Sequence, residues 1–249
     1  MPRITPNRLA LACALVLALS LSLVASAAAK GITADLRVVG AKGKVLAEES
    51  VTGATTSVKT SPKATCFGKG TGGSGKSVSI AGTTAMGLLA KASKSTSSLS
   101  PLSISDSFDF GLALCGIGSS VAKGKSSWYL KINHKSLSVG GDQAKIKAGD
   151  EVLWDLAPSY PYPNELVLVA PESAAAGLPF GVTAYSYDEK GKRKPAAGVK
   201  LTGAAGTTGS DGKAMVTLTE PALLGASKSG EIPSARVAVC IEGKCPAGS

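Results

Sequence analysis

The chain of 249 residues contains a single histidine, His134, and is poor in aromatics, with two tryptophans, five tyrosines and four phenylalanines. One imidazole excludes a metal site built on several histidines and obliges any Ser-His-Asp or Cys-His device to use His134 itself. That residue lies in Asn133-His134-Lys135 between two apolar runs, a hairpin turn where a solvated side chain is expected. Acidic residues are scarce, 17 against 27 basic ones. The close carboxylate pairs are Asp106 with Asp109, at a turn-like spacing, and Asp150 with Glu151, which point to opposite faces of a strand. Neither pair converges on one bond, so the expectation is a protein that is not an enzyme and uses no cofactor. After residue 30 no apolar run is long enough to cross a bilayer.

The one long apolar run is at the start. Arg3 and Arg8 precede Leu9 to Val24, and Ala25-Ser26-Ala27-Ala28-Ala29 offers small-residue cleavage sites. This reads as a secretory signal peptide over residues 1–29, its apolar core of about 16 residues falling short of the roughly 20 needed to span. Its removal takes two basic and no acidic residues, leaving 25 basic against 17 acidic and a net charge of +8. The localisation expected is secreted, extracellular or associated with the cell envelope. A nucleic-acid partner is not expected, since no helix carries a basic stripe with base-reading residues.

Without Cys13, four cysteines remain: Cys66, Cys115, Cys240 and Cys245. An even number in an exported chain implies disulfides, and four cysteines allow three connectivities. Pairing Cys66 with Cys115 and Cys240 with Cys245 is favoured, because each pair then falls within one proposed domain. Zinc is the competing use, but the spacings lack paired C-x-x-C knuckles and the histidine is remote, so no metal is expected.

Gly70-Thr71-Gly72-Gly73-Ser74-Gly75-Lys76-Ser77 matches the phosphate-loop pattern G-x-x-x-x-G-K-[ST] in full. A working phosphate loop follows a buried strand and opens a helix, whose dipole faces the phosphates. Here Thr60 to Thr65 reads as loop, and Val78-Ser79-Ile80 after the motif reads as strand. The match is therefore expected to be a Gly-rich surface loop rather than a nucleotide site.

The rest of the chain is mostly short strands. Ile32 to Val39 and Val45 to Val51 form a hairpin across Ala41-Lys42-Gly43-Lys44. A helix follows Gly82, with Thr83 or Thr84 as N-cap and Ala85, Leu88, Leu89 and Ala92 on one face. Ser93 to Pro101 reads as a low-complexity linker and Phe108 to Leu114 as a strand. In Trp128 to Asn133 the alternation sets Trp128, Leu130 and Ile132 against Tyr129, Lys131 and Asn133, and in Glu151 to Leu156 it groups Val152, Trp154 and Leu156. The tryptophan faces are expected in a core. The opposite face, Tyr129, Lys131 and Asn133, is expected to be the wetter one and is the candidate ligand surface.

The W-Y-x-x-x-N strand, a glycine-bearing spacer and then G-D-E-V-L-W resemble the domain at the C-terminus of transcobalamin and intrinsic factor, found also in exported bacterial proteins. The resemblance covers Gly31 to about Pro158 and includes the helix beginning "TTAMGLL". It implies a small β-grasp-like α+β domain with one helix, in a family whose vertebrate carriers hold cobalamin. The large helical domain of those carriers has no counterpart here. Residues 165–249, with "NELVLVAP", "PAAGVKLTG", "TGSDGKAMVTL" and "IPSARVAVCIEG", resemble a bacterial Ig-like domain, which implies a β-sandwich used as a spacer or adhesive unit. The expected organisation is a mainly β protein: signal peptide 1–29, transcobalamin-like domain 30–158, Pro-rich linker 159–164 and Ig-like β-sandwich 165–249. Tyr160 and Tyr162, among the prolines, either pack at the junction or line a binding surface.

The function these readings imply is a non-catalytic envelope or extracellular binding and adhesion module. Its partner would be a cell-envelope polysaccharide or a protein. The alternative is a small-ligand protein of corrinoid type.

Overall fold

Polar–apolar alternation fixes which side of the first sheet meets the core. The computed structural model describes residues 31–247; the signal-like segment 1–29, with Cys13, lies outside them. Strand β1 (Thr33–Val39) turns through Ala41–Gly43, where Lys42 is left-handed, into β2 (Val45–Thr52). Strands β3 (Thr56–Lys59) and β4 (Ser77–Ile80) pair across the Gly-rich loop. After helix α1 (Ala85–Ala92), strands β5 (Leu102–Ser105), β6 (Ala113–Ile117) and β7 (Ser120–Val121) make a three-stranded sheet. Then β8 (Ser127–Ile132), β9 (Lys135–Ser136) and β10 (Glu151–Ala157) complete the main sheet, whose order is β2-β1-β10-β8-β9. β1 and β10 run parallel at its centre, and the other pairs are antiparallel. A hairpin, a crossing helix and a closing strand laid beside the first are what β-grasp-like denotes.

Helix α1 starts at Thr84, whose hydroxyl accepts the Gly87 N–H at 3.1 Å and donates to the Ala81 carbonyl at 2.8 Å. Every residue of α1 except Lys91 is buried. Leu88 and Leu89 meet the inner face of the sheet, where Leu36, Val38, Trp128, Leu130, Val152, Trp154 and Leu156 are buried in the same core. The hairpin β3–β4 and the sheet β5–β6 supply Ile80, Ile104 and Ile117 around it. Side chains of this size each contribute about 1.5–3 kcal/mol on burial.

The remaining strands build a sandwich. They are β11 (Glu165–Val169), β12 (Ser173–Ala174), β13 (Pro179–Tyr187), β14 (Arg193–Pro195), β15 (Lys200–Thr202), β16 (Lys213–Thr217), β17 (Ala222–Ser227) and β18 (Val237–Ile241). One sheet runs β11-β13-β14, with β16 pairing the first half of β13 on the edge that β14 shares, and the second runs β12-β18-β17-β15. Leu166, Leu168, Val182, Val216, Leu224 and Val239 fill the space between them, in a cluster separate from the first core.

Both favoured cysteine pairs are bonded. Cys66 and Cys115 have Cα atoms 4.8 Å apart, and Cys240 and Cys245 4.2 Å. The first pair spans 49 residues, a loop whose constraint is worth about 4 kcal/mol on chain-entropy grounds.

Two expectations are corrected. The strand expected over Phe108–Leu114 begins only at Ala113, because Gly111 adopts φ +110° and its N–H turns back to the Phe108 carbonyl at 3.3 Å. Ser93–Pro101 is not a spacer: it contains a 3-10 turn, Ser97–Leu99, that drives Leu99 fully into the core.

Candidate functional site

The outer face of the main sheet carries charge on adjacent strands, and the sandwich covers it. Arg37 on β1, Lys131 on β8 and Asp155 on β10 all project there, and each is buried. Register explains the cluster: Arg37 lies opposite Leu153, and Leu153 lies opposite Lys131, so the two cations flank one apolar residue on the central strand. Leu153 packs with Val39 and with Ile232 from the sandwich. From the other side β11 delivers Glu165, itself 1 % exposed.

Glu165 is the hub. Arg37 Nη2 donates to its Oε1, while Arg37 Nη1 donates to the Pro233 carbonyl. Lys131 Nζ lies 3.8 Å from Oε2, and His134 Nδ1 lies 3.2 Å from Oε1. His134 Nε2 faces Glu151 at 3.5 Å, and its ring rests on Tyr187 with centroids 4.3 Å apart. Burial is the largest influence on the Glu165 carboxyl and pushes its pKa up. The approach of His134 and the charges of Arg37 and Lys131 outweigh it, and the group stays below its ordinary value. On Asp155 the balance goes the other way, and burial raises it to about 7, outweighing the pull of Lys131 and Arg37. Burial likewise lowers Lys131, opposed by Glu165 and Asp155.

The expectation that the Tyr129, Lys131 and Asn133 face is the wetter one is therefore corrected. Lys131 is sealed into the ion cluster at 1 % exposure, not held in water. Tyr129 stacks on Tyr162 from the linker, with ring centroids 3.6 Å apart, and burial raises its hydroxyl pKa. Asn133 is exposed but occupied in holding the β8–β9 turn, donating to Asp150 Oδ1 and accepting from the Glu151 N–H, both at 2.9 Å. His134, expected to be solvated in that turn, instead reaches back to Glu165. The hairpin itself is as expected, with Asn133 and His134 both left-handed, the signature of a tight two-residue connection.

Beside the ion cluster a cleft of about 550 Å³ opens between β1–β2 and the sandwich. Val167, Leu168, Leu223 and Val237 give it apolar walls. Its lining is acidic on balance, Asp35, Glu48, Glu49, Glu151 and Glu165 outnumbering Arg37 and Arg236, although the chain as a whole is basic. Glu48 is paired with Arg236 at 3.1 Å and Glu49 accepts from Thr96 at 2.7 Å. Sequence reading pointed to neither the cluster nor the cleft, because both are made by the contact between residues more than a hundred positions apart, such as Arg37 and Glu165.

The phosphate-loop match is a structural loop. Its last residue, Ser77, opens β4, not a helix. The N–H groups that would cradle phosphate are already used: Gly73 donates to the Ser61 carbonyl at 2.9 Å, Ser74 to Asp106 at 2.6 Å and Gly75 to Thr60 Oγ1 at 3.0 Å. Asp106 is held ionised by Ser74, which fixes a carboxylate where a phosphate would have to sit. Asp150 accepts from the Lys147 N–H at 2.7 Å as well as from Asn133, a turn-closing role. Among the described residues no group of three or more His, Cys, Asp or Glu is arranged to hold a metal ion, and no helix is long and apolar enough to cross a membrane. Comparison with known proteins gives no match to a family model and none to a curated protein.

Proposed function

We propose that the chain is an exported, non-catalytic binding module of the cell envelope or extracellular space. Its recognition site would be the cleft between the main sheet and the sandwich. The observation that carries this reading is the cleft's composition, apolar walls in a lining that is acidic on balance. Ligand sites favour such junctions, and an acidic lining on a basic protein selects a partner of positive charge. The favoured partner is a cationic, partly apolar protein segment. Two disulfides support an oxidising compartment. The engagement of His134, the sole histidine, with Glu165 and Tyr187 supports a non-catalytic role.

The test is a fluorescence-anisotropy titration with labelled peptides that alternate lysine and leucine, and with glutamate–leucine counterparts. The lysine peptide is expected to bind, and Glu151→Gln together with Asp35→Asn to weaken it by about tenfold at low salt. Equal binding of both peptides, or no effect of the variants, would sink the cleft as the site. The corrinoid alternative places its ligand on the Tyr129 face, where Tyr162 stacks on Tyr129. Saturable cyanocobalamin binding lost in Tyr129→Ala would restore that alternative.

A further inference from the structure

Three of the chain's four phenylalanines, Phe67, Phe108 and Phe110, gather at one place beside the Cys66–Cys115 disulfide. Phe108 and Phe110 stack with centroids 5.0 Å apart, and Phe67 meets Phe108 edge-on at 5.6 Å. Only Phe108 is packed inward, against Cys66 and Cys115. Phe67 is 61 % exposed and Phe110 44 %.

The backbone under these rings is fixed. Phe67 follows the disulfide directly, and Thr71 ties its loop by donating to the Cys66 and Gly68 carbonyls. The Phe110 carbonyl accepts the Gly140 N–H at 3.0 Å. Phe67 also stands at φ +57°, a conformation that glycine or asparagine adopts freely and a bulky aromatic does not. A large ring kept in an unfavourable backbone conformation and then left in water serves neither the turn nor the core.

Lysines frame the rings. Lys69 and Lys123 line a shallow hollow together with Phe67, and Lys63 and Lys125 are exposed on the same two loops. The acids nearby are Asp109, which is exposed, Asp106, which is engaged by Ser74, and Asp142, which accepts the Leu112 N–H at 2.8 Å; the four lysines outnumber them. The local balance is positive, as is that of the whole chain.

We infer that this patch seats the protein on an anionic phospholipid bilayer. The Phe67 and Phe110 rings enter the boundary between headgroups and acyl chains, and Lys69 and Lys123 meet the phosphates. A soluble polyanion would use the lysines and leave the rings without a role; a bilayer uses both. The patch lies apart from the acidic cleft and leaves it free for a partner.

The test is co-sedimentation of the oxidised protein with vesicles of phosphatidylcholine, with and without phosphatidylglycerol, at low and high salt. Binding is expected only with phosphatidylglycerol, reduced by salt. Lys69→Glu with Lys123→Glu should lower the partition coefficient by at least about twentyfold, and Phe67→Asn by about tenfold. Asparagine relieves the left-handed position, so Phe67→Asn should melt no lower than the parent. Loss of binding without loss of stability supports the assignment. A parent protein that ignores phosphatidylglycerol vesicles, a Phe67→Asn variant that binds undiminished, or a variant that unfolds would each overturn it. Binding to soluble polyphosphate that matches the vesicles and depends on the lysines alone would overturn it too.

Discussion

Asp155 shows what burial does to one carboxyl. Its proton would leave near 3.8 in the unfolded chain, but in the folded protein burial raises that value to about 7. Between these values the native state holds a proton that the unfolded state has lost, so this group makes stability fall as pH rises from about 4 to about 7 and level off above. Glu165, depressed by its partners, acts in the opposite sense: its contribution is present above the ordinary glutamate range and is lost as pH falls through the folded value. Asp155→Asn should therefore flatten the decline in melting temperature between about pH 4 and 7. An unchanged slope across that window would dismiss Asp155 as its source. The candidate site was only half legible at this scale. Lys131 was rightly placed on the face opposite Trp128, but alternation does not say what covers a face. A signal was present nonetheless: Val152-Leu153-Trp154 and Val38-Val39 are consecutive apolar residues, which mark strands buried on both sides.

Among the elements, α1 shows how closely the first core is fitted. Its first turn donates to the segment before β10, Ala85 N–H to the Ala144 carbonyl and Met86 N–H to the Gly141 carbonyl, both at 2.9 Å. Gly141 is pressed so closely on Trp154 that an added Cβ would stand 2.5 Å from the indole Cη2. Gly141→Ala should cost about 1–3 kcal/mol in urea denaturation, through overpacking against an aromatic that cannot move aside. A neutral substitution would mean that the 140–146 segment yields more easily than its hydrogen bonds imply. The helix, its cap, the first hairpin and both tryptophan strands were legible, since each depends on period and turn chemistry within one segment. Strand β17 was not: in Ala222–Ser227 ("ALLGAS") consecutive apolar and small residues erase the alternation. The "FDFGLAL" segment alternates well and still turns at Gly111, because its phenylalanines face the surface patch instead of a sheet.

At the scale of the whole molecule, two apolar cores are joined by a polar seam. Of the two places open to Tyr162, packing at the junction or lining a binding surface, it takes the first and stacks on Tyr129, and Ser136 N–H bonds the Glu189 carbonyl at 2.9 Å across the junction. Removing one partner of a buried ion pair costs about 3–5 kcal/mol, so Arg37→Ala should uncouple the cores. Calorimetry should show one transition in the parent and two in the variant; two in both would mean that the seam does not couple them. The seam also bears on the order in which the molecule is made. The strands of the main sheet leave the ribosome before the sandwich exists, and N-terminal segments fold first. Had the outer face been apolar, the half-made chain would offer its neighbours a sticky sheet for as long as the second half took to arrive. With Arg37 and Lys131 there instead, a sheet formed ahead of the sandwich would keep that face hydrated, and the desolvation of the two cations would wait until Glu165 is present to receive them.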